Sequence, residues 1–118
     1  MRQCSFDLGI HWDHRRTPRY SLAVDVEMTD VQSGRQGKGR TTTLSVAGCG
    51  VESAELFPQG AALRILLSHH GKVVRATGRV VYSTQELGMG MAFTSVEAED
   101  ESILRWWIAG YLCVPVLE

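Results

Sequence analysis

Six short β-favouring segments follow one another between Tyr20 and Thr94 with no stretch of helical period between them, and that order leaves few architectures open. The clearest is the first, where Tyr20, Leu22, Val24, Val26 and Met28 alternate with Ser21, Ala23, Asp25 and Glu27. A period of two puts alternate side chains on opposite faces, the pattern of a half-buried strand. Arg40 to Val46 is threonine-rich, Gly48-Cys49-Gly50 interrupts it, and a short extended piece begins at Val51. After a turn at Phe57-Pro58-Gln59-Gly60, residues 62–69 form a mostly apolar strand that reverses at His70-Gly71-Lys72. In residues 73–82, Val74, Ala76, Gly78, Val80 and Tyr82 share one face, with Arg75, Thr77 and Arg79 on the other. Residues 88–94 bring Met89, Met91 and Phe93 together. Parallel strands need long crossovers, so short connections predict an antiparallel barrel or sandwich.

The period then changes. Ile103, Leu104, Trp107, Ile108 and Tyr111 follow helical spacing, after Glu97, Glu99, Asp100 and Glu101, acids that suit a helix N-terminus. Thr94 or Ser95 is the expected cap, Thr94 with Glu97 having capping-box spacing. One amphipathic helix should therefore close one side or mouth of the sheet structure, with Trp107 inward and Trp106 off the apolar stripe. A chain of 118 residues is long enough to build a core without staples, and one domain is expected. Residues 1–14 form a leader in which Phe6, Leu8, Ile10 and Trp12 alternate with Asp7, Gly9 and His11, and residues 15–118 form the domain.

Composition excludes several classes of function. A net charge of −1 argues against a general duplex-binding surface. The longest apolar run, Trp106 to Leu117, has twelve residues and contains Pro115, whereas a spanning helix needs about 20. Arg2, Asp7 and Asp13 break the leader, so no signal peptide is read, and Cys4, Cys49 and Cys113 are odd in number with no CxxC spacing. Those features predict a soluble cytoplasmic protein without membrane insertion. No catalytic set of Ser/His/Asp, Cys/His or paired carboxylates can be assembled, so no enzyme is expected. His11-Trp12-Asp13-His14 has metal-ligand chemistry but is too compact for a complete site. Ser33-Gly34-Arg35-Gln36-Gly37-Lys38-Gly39 contains Gly-Lys, yet Gly39 stands where a P-loop has Ser or Thr and no helix follows, so a mobile hairpin loop is expected.

Two stretches carry recognition chemistry. Arg15-Arg16-Thr17-Pro18-Arg19 packs three guanidinium groups into five residues, and Pro18 keeps Thr17 extended. Guanidinium forks match phosphate oxygens and the guanine O6/N7 edge, so this arm suits a nucleotide. Thr43-Leu44-Ser45-Val46-Ala47-Gly48 then offers hydroxyls and an open backbone at a strand end. Arg15-x-x-x-Arg19, twenty-three intervening residues and Thr43-x-Ser45-x-x-Gly48 together make an ordered pattern.

This pattern resembles the PilZ domain family of cyclic di-GMP receptors, with its RxxxR and [D/N]xSxxG motifs. Gly88-Met89-Gly90-Met91-Ala92-Phe93 and Ile103-Leu104-Arg105-Trp106-Trp107-Ile108 are similar to the family's last strand and closing helix. The resemblance covers roughly residues 14–112 and implies an all-β fold with one C-terminal helix, a six-stranded antiparallel barrel. It implies that Arg15 and Arg19, with Arg16 beside them, grip phosphate and guanine, while Thr43, Ser45 and Gly48 receive the ligand's other side. Thr43 departs from the family's Asp or Asn and has a shorter reach. The implied role is a bacterial second-messenger receptor with no cofactor, whose arm becomes ordered on cyclic di-GMP and signals to a protein partner. The alternative is a barrel that has lost the ligand and serves as a protein-interaction adaptor. Single-stranded nucleic-acid binding ranks last, because most of the nine aromatics fall at core-like positions.

Overall fold

The computed structural model describes residues 17–112. Six strands appear in chain order: β1 (Asp25–Asp30), β2 (Gln36–Leu44), β3 (Gly48–Ser53), β4 (Ala62–His69), β5 (Lys72–Thr84) and β6 (Gly88–Val96). One helix, α1 (Ala98–Leu112), follows them. All neighbouring strands pair antiparallel, and the order β1-β2-β3-β6-β5-β4 closes because β1 also pairs with β4, with Val26 opposite Leu67 and Met28 opposite Ile65. Of the two architectures left open by periodicity, closure selects the barrel, and it leaves no strand edge unpaired.

Alternation decides which side chains fill it. Val24, Val26, Met28, Leu44, Val51, Leu63, Leu67, Val74, Val80 and Met89 are all buried, while Asp25, Glu27, Arg64, Arg75 and Arg79 point outward. Phe57, expected only as part of a turn, is fully buried, with its backbone N–H donating to Met89 Sδ at 3.1 Å. It lies near the start of β4. At the end of β4 the helix takes over, burying Leu104, Trp107 and Ile108.

Four sequence expectations change in detail. Tyr20 was expected to begin a continuous strand, but it forms an isolated bridge with Leu44, and β1 proper starts at Asp25. Between them the Thr41 hydroxyl substitutes for ladder bonds, donating to Leu22 O at 2.7 Å and accepting from Val24 N at 2.8 Å. Residues 33–39 were expected to form a mobile loop, yet β2 begins at Gln36. The Asp30 carbonyl and carboxylate bond Gly34 N and Gln32 N, so the turn is complete by Arg35. A Cβ on Gly37 would meet Glu55 Cβ at 2.8 Å, and one on Gly39 would overlap the Glu52 carbonyl, so both glycines serve close strand packing.

Thr94 and Ser95 do not cap the helix: both belong to β6, and the Glu97 carbonyl accepts the first helical bond, from Glu101 N. Asp100 Oδ1 instead ties the helix start to Arg75 N at 3.1 Å. Tyr82, expected inside beside Val80, is 38% exposed, because a register shift between these residues turns it outward. Trp107 is 4% exposed and Trp106 is 57% exposed, in keeping with the helical stripe. The Trp107 and His69 rings meet edge to face, with centroids 5.5 Å apart.

Truncating a buried aromatic leaves a cavity, so Trp107→Ala should cost about 3–5 kcal/mol, a large share of the roughly 5–15 kcal/mol that holds a domain. Trp106→Ala should cost far less, and thermal melts of the two dilute variants make the comparison.

Burial, with smaller contributions from His70 and Arg40, holds the His69 pKa below its ordinary value, and Asp25 opposes them. The unfolded imidazole therefore takes up its proton first. His69 supports folding above about pH 6.5, and that support is lost as pH falls from there towards the lower folded value. Melting temperatures followed from about pH 8 to about pH 5 should fall less steeply in His69→Gln than in the parent.

Candidate functional site

The site is assembled where the incoming chain meets the end of β2. Tyr20 N donates to Leu44 O at 2.9 Å and Leu44 N donates to Tyr20 O at 2.8 Å, so Tyr20 is clamped to the residue between Thr43 and Ser45. Arg19, the neighbour of Tyr20, is exposed at that junction. The Tyr20 ring lies 6.0 Å from that of Tyr111, which ties the same junction to α1. Arg15 and Arg16 lie outside the described residues, as do residues 1–14 with His11-Trp12-Asp13-His14.

Ser45 is 2% exposed and its hydroxyl is occupied within its own turn. Ser45 Oγ accepts from Ala47 N and Gly48 N, each at 3.1 Å, and donates to Gly48 O at 3.2 Å. Ser45 N also donates to Gly48 O, at 2.9 Å. These bonds hold residues 45–48 as a tight reversal between β2 and β3. Gly48 completes it for a steric reason, since a Cβ there would run into the Met91 carbonyl of β6. The sequence reads this glycine as an opening for a ligand; in the fold its missing side chain is demanded by a neighbouring strand.

Thr43 is half-buried, and its Oγ1 accepts from Gly50 N at 3.2 Å. The register joins Thr43 to Gly50, Gly50 to Gly90 and Gly90 to Tyr82 across four strands. Two glycines in that row leave a shallow track, and the Tyr82 ring lies over Gly90, where any Cβ would overlap it. The Tyr82 hydroxyl is 3.7 Å from where a Gly50 Cβ would stand, so the phenol reaches along the track towards Thr43. Tyr82 and Thr41 are the residues that sequence reasoning misses here. The Gly-x-Gly pairs in β3 and β6 are a sequence signal for the track; the pin at Thr41 has none, because its partners are backbone atoms 17 and 19 residues away.

Arg19 brings a cation to this place, and the strand end brings a turn fixed by its own hydrogen bonds. Cys49 adds no reactive group, because burial pushes its thiol up to about 12 and keeps it protonated.

The fold and site define a small closed β-barrel with an arginine-bearing approach segment at a glycine-rich strand end. The chain belongs to the PilZ domain family, whose model matches residues 13–110. PilZ domains are ligand-binding and effector domains, a family of cyclic di-GMP receptors. The fold is similar to the PilZ domain of CeSA from a cellulose-synthesizing bacterium, with a TM-score of 0.65 and 15% identity over 81% of this chain and 99% of that one. It is similar also to the PilZ domain of YcgR from Escherichia coli, solved with c-di-GMP, with a TM-score of 0.62 and 16% identity over 88% of this chain and all of that one. The Bacillus subtilis inhibitor of motility, MotI/DgrA, matches with a TM-score of 0.65 and 17% identity over 86% of this chain, which spans 53% of that protein. No curated protein matches the chain.

Removing the Thr41 hydroxyl in Thr41→Val leaves Val24 N and Leu22 O without that partner, and Ser45→Ala does the same to Ala47 N and Gly48 N. An unsatisfied buried polar group costs about 1–3 kcal/mol, so each variant should lose stability in that range by urea unfolding.

Proposed function

We propose that this chain is a cyclic di-GMP receptor whose arginine arm closes over the ligand at the end of β2 and passes the signal to a protein partner. The observation that carries this reading is the Tyr20–Leu44 clamp, because it brings Arg19 to the segment Thr43–Gly48 although twenty-three residues intervene in the chain. In the proposal Arg15 and Arg19 hold phosphate and the guanine edge, with Arg16 beside them. Planar guanidinium forks suit both targets. Ser45 and Gly48 act by shape: their internal bonds hold the turn against which the ligand rests. Tyr82, aromatic and partly exposed, offers a stacking surface beside Thr43.

The arm carries positive charges close together, and a bis-phosphate ligand neutralises their repulsion, so binding favours a closed arrangement of arm and barrel. The altered surface is what a partner would read. No cofactor is required, and catalysis has no part in the proposal. Among the described residues no helix is long and apolar enough to cross a membrane, and we place the receptor in the cytoplasm, where a nucleotide messenger is made and consumed.

Calorimetric titration with cyclic di-GMP tests the reading. A charge-assisted hydrogen bond contributes about 1.5–3 kcal/mol, so Arg19→Ala or Arg15→Ala should weaken binding about ten- to a hundredfold without unfolding the barrel. Thr43 Oγ1 already accepts from Gly50 N and has a short reach, so Thr43→Asn, with a longer side chain and an amide oxygen, should tighten binding. A folded parent and a folded Thr43→Asn variant that both ignore saturating ligand would reject the receptor reading in favour of a protein-interaction adaptor.

A further inference from the structure

Among the described residues, Trp107 Nε1 is the buried side-chain polar atom that no hydrogen-bond partner satisfies. The indole is 4% exposed, and an N–H left unpaired at that depth costs stability. At right angles to it stands the imidazole of His69, with 89° between the ring planes and 5.5 Å between their centres. A perpendicular ring can offer its π face to an N–H, a weak acceptor that suits this geometry. His69 closes β4 and Trp107 lies within α1, so the contact fastens the helix to the barrel. The exposed ring of His70 lies beside that of His69, with centres 4.0 Å apart.

We propose that His69 and Trp107 form an acid-sensitive latch, in which the neutral imidazole holds the indole N–H and protonation of His69 lets α1 leave the barrel while the strands stay closed. The latch works without any nucleotide. A neutral π face is negative and attracts the positive end of an N–H, whereas an imidazolium repels it, so one proton reverses the contact. Tyr111, one helical turn beyond Trp107, carries the contact with Tyr20 at 6.0 Å, and release of the helix therefore also frees the junction at Tyr20.

The groups around His69 set the direction. Burial opposes a positive charge there, as do His70 at the β4–β5 turn and Arg40 on β2, while Asp25 on β1 favours it. Asp25 is shared, since Arg40 Nη1 lies 3.6 Å from its carboxylate. Lys72, the register partner of His69 on β5, adds a further cation to this end of the barrel. From α1, Trp106, Gly110 and Tyr111 line the groove beside the contact, together with Leu22, and none is charged near neutral pH. The released imidazole therefore takes up its proton before the latched one. The hold is complete above about pH 6.5 and is lost as the pH falls towards the lower value of the latched state.

Nuclear magnetic resonance of the isotope-labelled full chain from about pH 8 to about pH 5 tests this. At the upper end the Trp107 N–H signal should lie upfield of a solvated indole, shielded by the imidazole face. On the acid side of about pH 6.5 it should move to the solvated position. Amide protection over residues 104–108, taken relative to intrinsic exchange, should fall about tenfold for each pH unit over which only the released state binds the proton, while β1 and β4 keep theirs. His69→Phe retains a neutral ring face and should stay latched throughout. His69→Gln has no such face and should show a solvated indole and a weakly protected helix at every pH. An unshielded parent indole at the upper end overturns the proposal, as does a helix that tightens in acid, the result of an imidazolium set edge-on over the indole face. A His69→Phe variant that releases like the parent overturns it too, and so does loss of protection in β1 and β4 together with α1, which is global unfolding.

Discussion

Pairing of β1 with β4 is the constraint on which the rest depends. β1 already pairs with β2, so the second partner converts an open six-stranded sheet into a closed one. Closure gives every strand two neighbours, encloses the side chains of one face and removes edges that could recruit another chain. It also prevents the strands from being equally regular. The barrel bends through register shifts between Thr41 and Thr43 in β2, and between Thr77 and Gly78 and between Val80 and Tyr82 in β5. Two of these flank the candidate site: one sets Thr43 towards Gly50, and the other turns Tyr82 outward.

The polar groups near the site are mostly spent on shape. Thr41 holds the incoming chain, Thr43 satisfies Gly50, and Ser45 holds its own turn. Buried hydroxyls need such partners, since desolvating them unpaired costs more than the bonds return. A fully bonded strand end makes a firm floor with little free hydrogen-bonding capacity. Under the proposed function, charge recognition arrives on a separate element, the arm. Its attachment at Tyr20 is also its link to α1 through Tyr111, so arm and helix share one junction.

The helix has two unlike faces. Leu104, Trp107 and Ile108 complete the core, while Trp106 and Leu112 are apolar residues that the barrel leaves exposed. The groove beside Trp106 includes Leu22, two residues from the Tyr20 clamp. The Tyr20 junction and this helix surface are thus separated by a few residues of chain and one aromatic contact.

Much of this was legible before folding, and for identifiable reasons. A period of two at Leu22, Val24, Val26 and Met28 is a local property, because pleating alone sends those side chains to one face. The change to helical spacing at Ile103 is local too, and it separated Trp107 from Trp106 correctly. Motif order made the family resemblance readable, because residue types and spacing survive without coordinates. What only the tertiary structure decided were contacts between distant atoms. Gly37 and Gly39 look like loop residues until Glu55, Phe57 and the Glu52 carbonyl are packed against them. Phe57 looks like part of a turn until the barrel interior forms around it. Thr94 and Ser95 have the chemistry of caps, but pairing with β5 draws that segment into β6 and moves the helix start to Ala98. The sequence by itself determined which side chains prefer burial and where the chain must turn, because these follow from each residue and its near neighbours. Barrel closure, the register shifts and the pairing of Tyr20 with Leu44 were decided by tertiary structure, because they depend on backbone bonds between segments whose separation along the chain carries no local signature.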